Sequence, residues 1–217
     1  MQSAVFFAKS APVAGDIVEI GSFAGKSTIW LANGVKLRKR GKIYAVDPHT
    51  GDPYSGDLEN VRQAFSQGQE FEFRKNIGNA GVSDVVIPVV KTSQEAAKDF
   101  DKAIRFLFID GIHQYDFVKL DFLFWSPKVI GGGIIAFHDS NKEGVNRLLC
   151  EYLYGSDDYK FMGTVHSLTF FRKGSGKPFL DKIFVLRFNI VFPQHKNKGY
   201  FGVISGLLLR ILGLFAL

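Results

Sequence analysis

Cysteine is almost absent from this chain, and that scarcity excludes the classes of protein that depend on disulfides or cysteine-bound metals. Cys150 is the one cysteine among 217 residues, so neither a disulfide framework nor a cysteine-based zinc site can form within the chain. A secretory signal is also lacking, since the apolar run Ala4–Ala8 is short and no basic region precedes it. These two absences predict a cytoplasmic location. Hydrophobic residues at 46% and charged residues at 22% indicate a globular chain.

Negative charge is scarce only in the last quarter of the sequence. Residues 1–171 carry 19 Lys and Arg against 20 Asp and Glu, whereas residues 172–217 carry 8 Lys and Arg against Asp181 alone. The basic character therefore belongs to the end of the chain and not to the domain before it. We accordingly expect no nucleic-acid partner for that domain, despite a net charge of +6.

Short apolar runs alternate with helical patterns between about residue 16 and residue 140. The apolar runs predict strands, which are Asp16–Ile20, Lys42–Val46, Val85–Val90, Ile104–Ile109 and Ile134–Phe137, with Gly131–Gly133 opening the last of them. The patterns between and after them predict helices, which are Lys26–Arg38, Asp57–Gly68, Phe73–Gly81, Ser93–Phe100, His113–Trp125 and Glu143–Leu153. In His113–Trp125, the spacing of Phe117, Leu120 and Phe124 predicts one apolar face. Two later strands, near Tyr159–His166 and Leu168–Arg172, follow each other too closely for a crossover helix. The pattern predicts a doubly wound α/β fold with a mainly parallel, seven-stranded sheet and an antiparallel hairpin at its edge.

A glycine turn follows the first predicted strand, in the segment DIVEIGSFAGKST. Ligands of such sheets lie beyond the carboxyl ends of the strands, and glycines there let the backbone approach a ligand closely. Gly25-Lys26-Ser27 looks like the end of a Walker A motif, but only three residues separate Gly21 from Gly25 where that motif has four. The Gly-x-Gly of a dinucleotide fingerprint is missing as well.

Asp47 ends the second predicted strand, where an acid can accept hydrogen bonds from the hydroxyls of a ribose. The alternative is a structural role for Asp47 as a helix cap or turn former before Pro48. Together, the glycine turn and Asp47 favour ligand binding.

The sequence resembles the class I S-adenosylmethionine-dependent methyltransferases in VEIGSFAGKST and AVDPHTGDP. The segment FLFIDGIHQYDFVKLDFLFWSPKVIGGGIIAFHDS is similar to the metal-dependent small-molecule O-methyltransferases. Within them it is closest to the macrolide-sugar O-methyltransferase and cephalosporin-hydroxylase-like branch, with catechol O-methyltransferase more distant. The resemblance covers about residues 3–172, implies a Rossmann-like methyltransferase fold, and does not extend to the tail.

The resemblance implies a set of cofactor-binding residues. It places Glu19, Gly21, Ser22 and Gly25 in the loop at the methionine part of the cofactor, Asp47 at its ribose, and Ser93 and Gln94 beside its adenine. From composition alone, Ser93 is equally well an N-cap of the helix that it begins.

Two acids end consecutive predicted strands, Asp110 and Asp139, and adjacent parallel strands would bring them to one rim. Carboxylates are ligands that Mg²⁺ or a similar divalent ion prefers. The resemblance implies that this ion binds two neighbouring hydroxyls of the substrate, and that the residue after the second acid is a further ligand. Here that residue is Ser140 instead of Asp or Asn. The alternative is that both acids cap the helices that follow.

Histidines flank these acids. His113 follows Asp110 by three residues, and the resemblance implies a general base there, with Asp110 and His113 as the catalytic pair. A helix cap or surface residue is the alternative for His113. We expect His138 to lie beside the metal. His49 and Tyr54 either shape the acceptor pocket or lie in an exposed turn.

The tail, residues 174–217, begins at a linker-like GSGKP and ends in the apolar segment Phe201–Leu217. We expect residues 1–173 to form the S-adenosylmethionine-binding domain and the tail to be a separate basic, apolar extension. Arg210 disfavours a bilayer span. The alternatives are a helix packed on the domain or on a second subunit, and an element at an anionic membrane surface on the inner face.

These observations favour an S-adenosylmethionine-dependent, divalent-metal-assisted O-methyltransferase acting on a hydroxyl of a sugar or other polyhydroxylated small molecule. A non-catalytic cofactor-binding module of the same fold is the main rival, because Ser140 departs from the expected metal ligand. A P-loop-like nucleotide enzyme is disfavoured by the short glycine turn.

Overall fold

The computed structural model describes residues 13–50 and 68–174. Seven strands form one sheet: β1 Asp16–Ile20, β2 Ile43–Val46, β3 Val86–Val89, β4 Ile104–Ile109, β5 Val129–Phe137, β6 Tyr159–Val165 and β7 Leu168–Lys173. Five α-helices accompany them: α1 Lys26–Arg38, α2 Gln69–Asn79, α3 Ser93–Asp99, α4 Tyr115–Trp125 and α5 Glu143–Leu148. A 3₁₀ turn, Ser126–Lys128, follows α4, and a π-helical turn, Leu149–Leu153, continues α5.

The strand order is β3-β2-β1-β4-β5-β7-β6. β1 to β5 pair in parallel, and β7 pairs antiparallel with both β5 and β6. The predicted fold class, including the antiparallel hairpin at the edge, is confirmed. The chain winds outward from β1 in one direction to β3 and then returns to β4 on the other side of β1. The switch in direction lies between β1 and β4, where open α/β sheets bind their ligands.

The sheet is buried on both faces. Along β4, Phe106 and Phe108 face one apolar cluster, and Leu107 and Ile109 face the other, as the alternation of side chains along a strand requires. Both faces are covered by helices, which explains why this strand reads as a continuous apolar run. The exception is Arg105, which is buried and donates its Nε–H to the carbonyl of Gly15 at 2.9 Å.

Several predicted elements differ from the observed ones in detail. β5 begins at Val129, so the glycines Gly131–Gly133 lie inside the strand instead of opening it. The predicted helix Asp57–Gly68 lies outside the described residues, except for Gly68, and so does the tail beyond Gly174. Within the described part of the chain, the helices are too short or too polar to cross a bilayer.

The apolar face of α4 was predicted wrongly. Phe117, Leu120 and Phe124 have the spacing of one helical face, but Phe124 is 39% exposed. The buried residues are Val118, Asp121, Phe122 and Trp125. α4 contacts the sheet and α5 through that second face, so an acidic residue, Asp121, lies on the inward side of the helix.

Candidate active site

The glycine turn between β1 and α1 is closely packed against the end of β4. Gly21 has φ of +85°, and a Cβ atom there would come within 2.3 Å of the carbonyl oxygen of Asp110. Only glycine fits this position, since the backbone conformation and the space both exclude a side chain. The turn therefore brings the ends of β1 and β4 into direct contact.

Gly25 serves the packing of the turn and lies outside the cavity lining. It adopts φ of +87° at the N-terminus of α1, and a Cβ there would meet the side chains of Phe73 and Ile77 at 3.2 Å. The structure thus separates the two glycines of the predicted cofactor loop. Gly21 contributes to the cavity, and Gly25 lets α1 begin close to α2.

Asp47 ties the glycine turn to the end of β2. One carboxylate oxygen accepts the backbone N–H of Phe23 at 2.8 Å, and the other accepts that of His49 at 2.7 Å. Phe23 has φ of +45°, a strained conformation for a bulky residue. The turn-forming alternative for Asp47 is therefore realised, and the same carboxylate also lines the cavity, where each oxygen can accept further hydrogen bonds.

A cavity of about 750 Å³ opens at the carboxyl ends of β1, β2 and β4. Seven of the predicted site residues line it: Gly21, Ser22, Asp47, Ser93, Gln94, Asp110 and His113. The other lining residues were not predicted as cofactor ligands, and they include Phe23, Gln69, Ile112, Phe117, Asp121 and His138. The cavity lies at the switch point of the sheet and brings together residues from all parts of the predicted site.

Two buried polar atoms at the methionine end of the predicted site have no hydrogen-bond partner among the residues described. These are Oε1 of Glu19 and Oγ of Ser22. Glu19 is fully buried beneath the turn, and its other oxygen accepts the hydroxyl of Thr28. Burial raises the pKa of Glu19 to about 8 against the hydrogen bonds from Ser27 and Thr28, which lower it, and the nearby carboxylates of Asp110 and Asp47 add to the rise. Ser22 lines the cavity and Glu19 lies outside its lining, so the unpaired Oγ of Ser22 is the atom that a ligand can reach directly.

The opposite end of the cavity is formed by the start of α3. The N-cap is Thr92, whose hydroxyl accepts the N–H of Glu95 while the Glu95 carboxylate accepts the N–H of Thr92. The capping alternative for Ser93 is therefore wrong, because the helix is capped one residue earlier. The Ser93 hydroxyl instead accepts the indole N–H of Trp125 at 2.9 Å and lines the cavity beside Gln94.

A cluster of charged side chains lies at the rim where β4 and β5 end. His138 Nδ1 lies 2.7 Å from Asp110 Oδ1, and the hydrogen bond to this carboxylate raises the pKa of His138. His113 Nε2 lies 3.8 Å from Asp110 Oδ1 and 3.5 Å from Asp139 Oδ2. The strand ends thus bring both predicted acids and both histidines together.

Asp139 is paired with Lys142, which was not predicted as a site residue. Lys142 Nζ lies 2.7 Å from Asp139 Oδ2 and 3.4 Å from Nδ1 of His113. Burial alone would raise the pKa of Asp139, but the hydrogen bond from Lys142 and the neighbouring histidines lower it. Asp139 is therefore ionised and already partly neutralised by Lys142.

Ser140 does not join Asp110 and Asp139 in the way that the predicted metal set requires. Ser140 is 6% exposed, and its hydroxyl donates to the carbonyl of Ser167 at 3.0 Å and accepts the hydroxyl of Thr169 at 2.8 Å. This side chain joins β5 to the β6–β7 turn and is absent from the cavity lining. The ligand atoms that do lie within 4.8 Å of one another belong to Asp110, His113 and His138.

His49 belongs to the structural frame of the site. Its ring contacts Phe73 at a centroid distance of 5.2 Å, and burial lowers its pKa although Asp47 opposes that effect. It lies beside the main cavity, in a smaller depression with Gln69 and Phe71. Tyr54 lies outside the described residues.

Comparison with known proteins identifies the family. Residues 18–140, more than half of the chain, match the sequence model of a family described as "Methyltransferase domain". A protein of Sinorhizobium fredii, named only as uncharacterized protein y4gI, is 30% identical over 126 residues. That match spans 57% of this chain but only 13% of the S. fredii protein.

Solved structures share the fold at low sequence identity. The O-methyltransferase NovP is 18% identical with a TM-score of 0.62, over 79% of this chain and 78% of NovP. CalS11, a TDP-rhamnose 3'-O-methyltransferase of calicheamicin biosynthesis, is 19% identical with a TM-score of 0.54, over 80% and 77% of the two chains. A putative rRNA-methylase from Clostridium thermocellum is 15% identical with a TM-score of 0.56, over 80% and 96%.

The family match includes the glycine turn, Asp47 and the acids at the ends of β4 and β5. The family match agrees with the strand order, with the cavity at the switch point and with the unpaired oxygens of Glu19 and Ser22 at the glycine turn. The chain belongs to the class I S-adenosylmethionine-dependent methyltransferases.

Proposed function

We propose that this protein transfers the methyl group of S-adenosylmethionine to a hydroxyl of a sugar or another polyhydroxylated small molecule. One observation carries the proposal: a single cavity joins a buried cofactor end to a rim of carboxylates and imidazoles. Asp47 and Ser22 line this cavity and suit the cofactor, and Glu19 is buried outside the lining with one unpaired oxygen. Asp110 and His113, which line the same cavity, suit the handling of a hydroxyl proton.

Methyl transfer needs a deprotonated oxygen in line with the methyl carbon and the sulfur. As the oxygen–carbon bond forms, the carbon–sulfur bond breaks and its electron pair stays on the sulfur, giving S-adenosylhomocysteine. The hydroxyl proton needs an acceptor, and we assign it to Nε2 of His113. The carboxylates of Asp110 and Asp139, 3.8 Å and 3.5 Å away, would stabilise the resulting imidazolium. Positioning of the two substrates supplies much of the remaining rate.

Lys142 and His138 offset the negative charge of the two carboxylates at the rim, which would otherwise oppose ionisation of the acceptor hydroxyl. Two carboxylates close together would resist formation of an alkoxide, because like charges disfavour each other. Lys142 is paired with Asp139 and His138 with Asp110, so both acids carry a cationic or proton-donating partner. The rim can therefore accept a proton at His113 without a large excess of negative charge.

A divalent cation is the alternative to His113 as the group that assists deprotonation of the acceptor hydroxyl. Asp110, His113 and His138 offer one carboxylate and two imidazoles, a donor set that suits Mn²⁺, Fe²⁺ or Zn²⁺ better than the Mg²⁺ expected from the sequence. A cation bound there would acidify a coordinated hydroxyl. His113 cannot be a ligand through Nε2 and a base through the same atom, so the two roles exclude each other.

Removal of metal ions by EDTA distinguishes His113 as a base from His113 as a metal ligand. If the cation assists, EDTA removes most turnover, added Mn²⁺ restores it, and the affinity for S-adenosylhomocysteine stays unchanged. Full activity in EDTA would remove the metal from the reaction and leave His113 as the base.

The acceptor class is tested with S-adenosylmethionine labelled in its methyl group. Nucleotide sugars and free polyhydroxylated compounds form one panel, and rRNA fragments form the control panel. Labelled methyl ethers in the first panel support the proposal. Label in RNA alone would overturn it, and cofactor binding without transfer to any acceptor favours a non-catalytic cofactor-binding module.

A further inference from the structure

The candidate site contains an acidic residue to which neither the charged rim nor the predicted cofactor loop gives a role. Asp121 lies on the inward face of α4, is 7% exposed, and lines the cavity. Charged side chains are rarely buried to this degree without a partner or a ligand. In a helix that otherwise buries Val118, Phe122 and Trp125, its position needs a physical reason.

The neighbours of Asp121 place it at the end of the cavity formed by α3. Its hydrogen-bond partner is the Ser93 hydroxyl, which is itself held by the indole N–H of Trp125 at 2.9 Å. On the other side, Oδ2 lies close to Gly111, where an added Cβ would be 3.3 Å from that oxygen. The carboxylate is thus fixed between the start of α3 and the loop after β4.

The lining near Asp121 suits a flat, largely apolar ring. Val46, Ile112 and Phe117 contribute apolar side chains to the same cavity. Asp47 fixes the expected position of the ribose at the end of β2, so the base attached to that ribose would extend toward α3. The carboxylates that line the cavity within the described residues are Asp47, Asp110 and Asp121, and Asp121 is the one associated with α3.

We propose that Asp121 is a specificity-determining residue whose carboxylate accepts a hydrogen bond from the 6-amino group of the cofactor's adenine. This inference rests on the use of S-adenosylmethionine and not on the identity of the acceptor. A carboxylate is an acceptor only, and the 6-amino group is the sole donor that the adenine ring offers. A 6-oxo purine presents an acceptor where adenine presents its 6-amino donor and has its N–H at N1 instead, so Asp121 would keep Ser93 but lose the hydrogen bond from the 6-position.

Burial has a further consequence for this carboxylate. It raises the pKa of Asp121 to about 6, while the hydrogen bond from Ser93 opposes the shift. A donor from the adenine would stabilise the charged form in the same way as Ser93 does. The cofactor would therefore add a second donor to the one that Ser93 supplies.

The test compares two ligands that differ at one position of the purine. Calorimetric titration measures the affinity of the full chain for S-adenosylhomocysteine and for S-inosylhomocysteine, which has a 6-oxo group. Wild type should bind the adenosyl compound about 10–100-fold more tightly, the range of one hydrogen bond to a charged group. The Asp121→Asn variant, which can donate from its amide, should reduce that ratio by about 10-fold or more.

Asp116→Asn is the matched control, because Asp116 is exposed in the first turn of the same helix and absent from the cavity lining. It should keep the wild-type ratio. Equal affinity of wild type for both ligands, or an unchanged ratio in folded Asp121→Asn, would overturn the assignment. If circular dichroism shows that Asp121→Asn does not fold, the ratio of the two ligand affinities in wild type decides the test. Wild type that binds neither ligand would contradict the cofactor itself, which is a different result from a lost preference.

Discussion

The two ends of the cavity are built in different ways. The cofactor end is buried, and its frame consists of backbone geometry: a glycine turn, the end of β2 and the start of α3. Its polar atoms are left without partners, as in Glu19 and Ser22. At the rim, by contrast, Asp110, His138, Asp139 and Lys142 lie in a set of ion pairs on partly exposed side chains, although Nε2 of His113 and Nδ1 of His138 also have no hydrogen bond of good geometry among the described residues.

This difference indicates that one end of the cavity serves cofactor binding and that the other serves the reaction. Buried unpaired atoms are costly unless a ligand satisfies them, so the cofactor end is shaped for a fixed partner. Charges that are already paired and partly hydrated can exchange partners and protons more readily. We therefore expect substitutions at the rim to affect turnover and substitutions at the cofactor end to affect affinity.

The largest effect is expected at the rim. His113→Asn removes the proposed base and should lower kcat by ~10²-fold or more, because base removal has effects of that size. The affinity for S-adenosylhomocysteine should remain as in wild type. Steady-state kinetics and calorimetry measure the two quantities.

His166→Asn is the control for that substitution, since His166 is an exposed residue in the β6–β7 turn. It should leave both kcat and affinity unchanged. A wild-type rate in folded His113→Asn would exclude the base.

At the cofactor end, Asp47→Ala should weaken the binding of S-adenosylhomocysteine by about 1.5–3 kcal/mol, the range for hydrogen bonds to a charged group. Part of this loss comes from the glycine turn, which Asp47 holds through the N–H of Phe23. Asp47→Asn retains one acceptor and should lose less. Unchanged affinity in folded Asp47→Ala would exclude Asp47 from the ribose site.

Glu19 should give the cofactor end a pH dependence of stability. Its pKa in the folded protein is raised to about 8, above the 4.5 of an exposed glutamate. Its stabilising contribution is therefore complete at low pH and is lost as the pH rises toward 8. Between pH 5 and 7 the free energy of unfolding should fall by about 2 kcal/mol through this group.

Glu19→Gln tests this linkage in urea unfolding experiments, since a neutral amide fits the same space. The variant should lose most of the pH dependence between pH 6 and 8. Asp121, with a pKa of about 6, acts in the same direction at lower pH and serves as an internal comparison. An identical slope in wild type and Glu19→Gln would contradict the buried, protonated Glu19.

The basic tail should affect neither end of the cavity. We propose that it associates with anionic membrane surfaces, where each nearby Lys or Arg contributes about 1 kcal/mol. Deletion of residues 199–217 removes the apolar segment and Arg210, and it should weaken salt-sensitive binding to vesicles containing phosphatidylserine, measured by co-sedimentation. Affinity for S-adenosylhomocysteine should not change. Unchanged vesicle binding after the deletion would assign the tail a structural role.

Much of the cofactor end could be predicted from sequence because it depends on the backbone. The strands Asp16–Ile20 and Ile104–Ile109 were predicted with their observed bounds, and the glycine turn and Asp47 follow from where strands end. Strand ends of a parallel sheet share one edge, so sequence order alone brings Gly21, Asp47 and Asp110 together. No side-chain conformation has to be known.

The side-chain directions at the rim and the burial of Asp121 could not be predicted in the same way. The direction of the Ser140 hydroxyl depends on Thr169 in β7, a contact across 29 residues. Asp121 is separated from Ser93 by 28 positions, and the wrong choice of apolar face on α4 hid it. A signal was present, because Val118, Asp121, Phe122 and Trp125 follow the helical spacing i, i+3, i+4 and i+7. An acid within that pattern marks a buried polar site.

The most direct test of this division is calorimetric titration of S-adenosylhomocysteine into wild type, Asp47→Ala and His113→Asn at one pH. We predict one binding site in wild type, an affinity lowered by about 10-fold or more in Asp47→Ala, and wild-type affinity in His113→Asn. Absence of binding to wild type would contradict the cofactor site. The reverse order of the two variants would contradict the separation of the cavity into a cofactor end and a reactive rim.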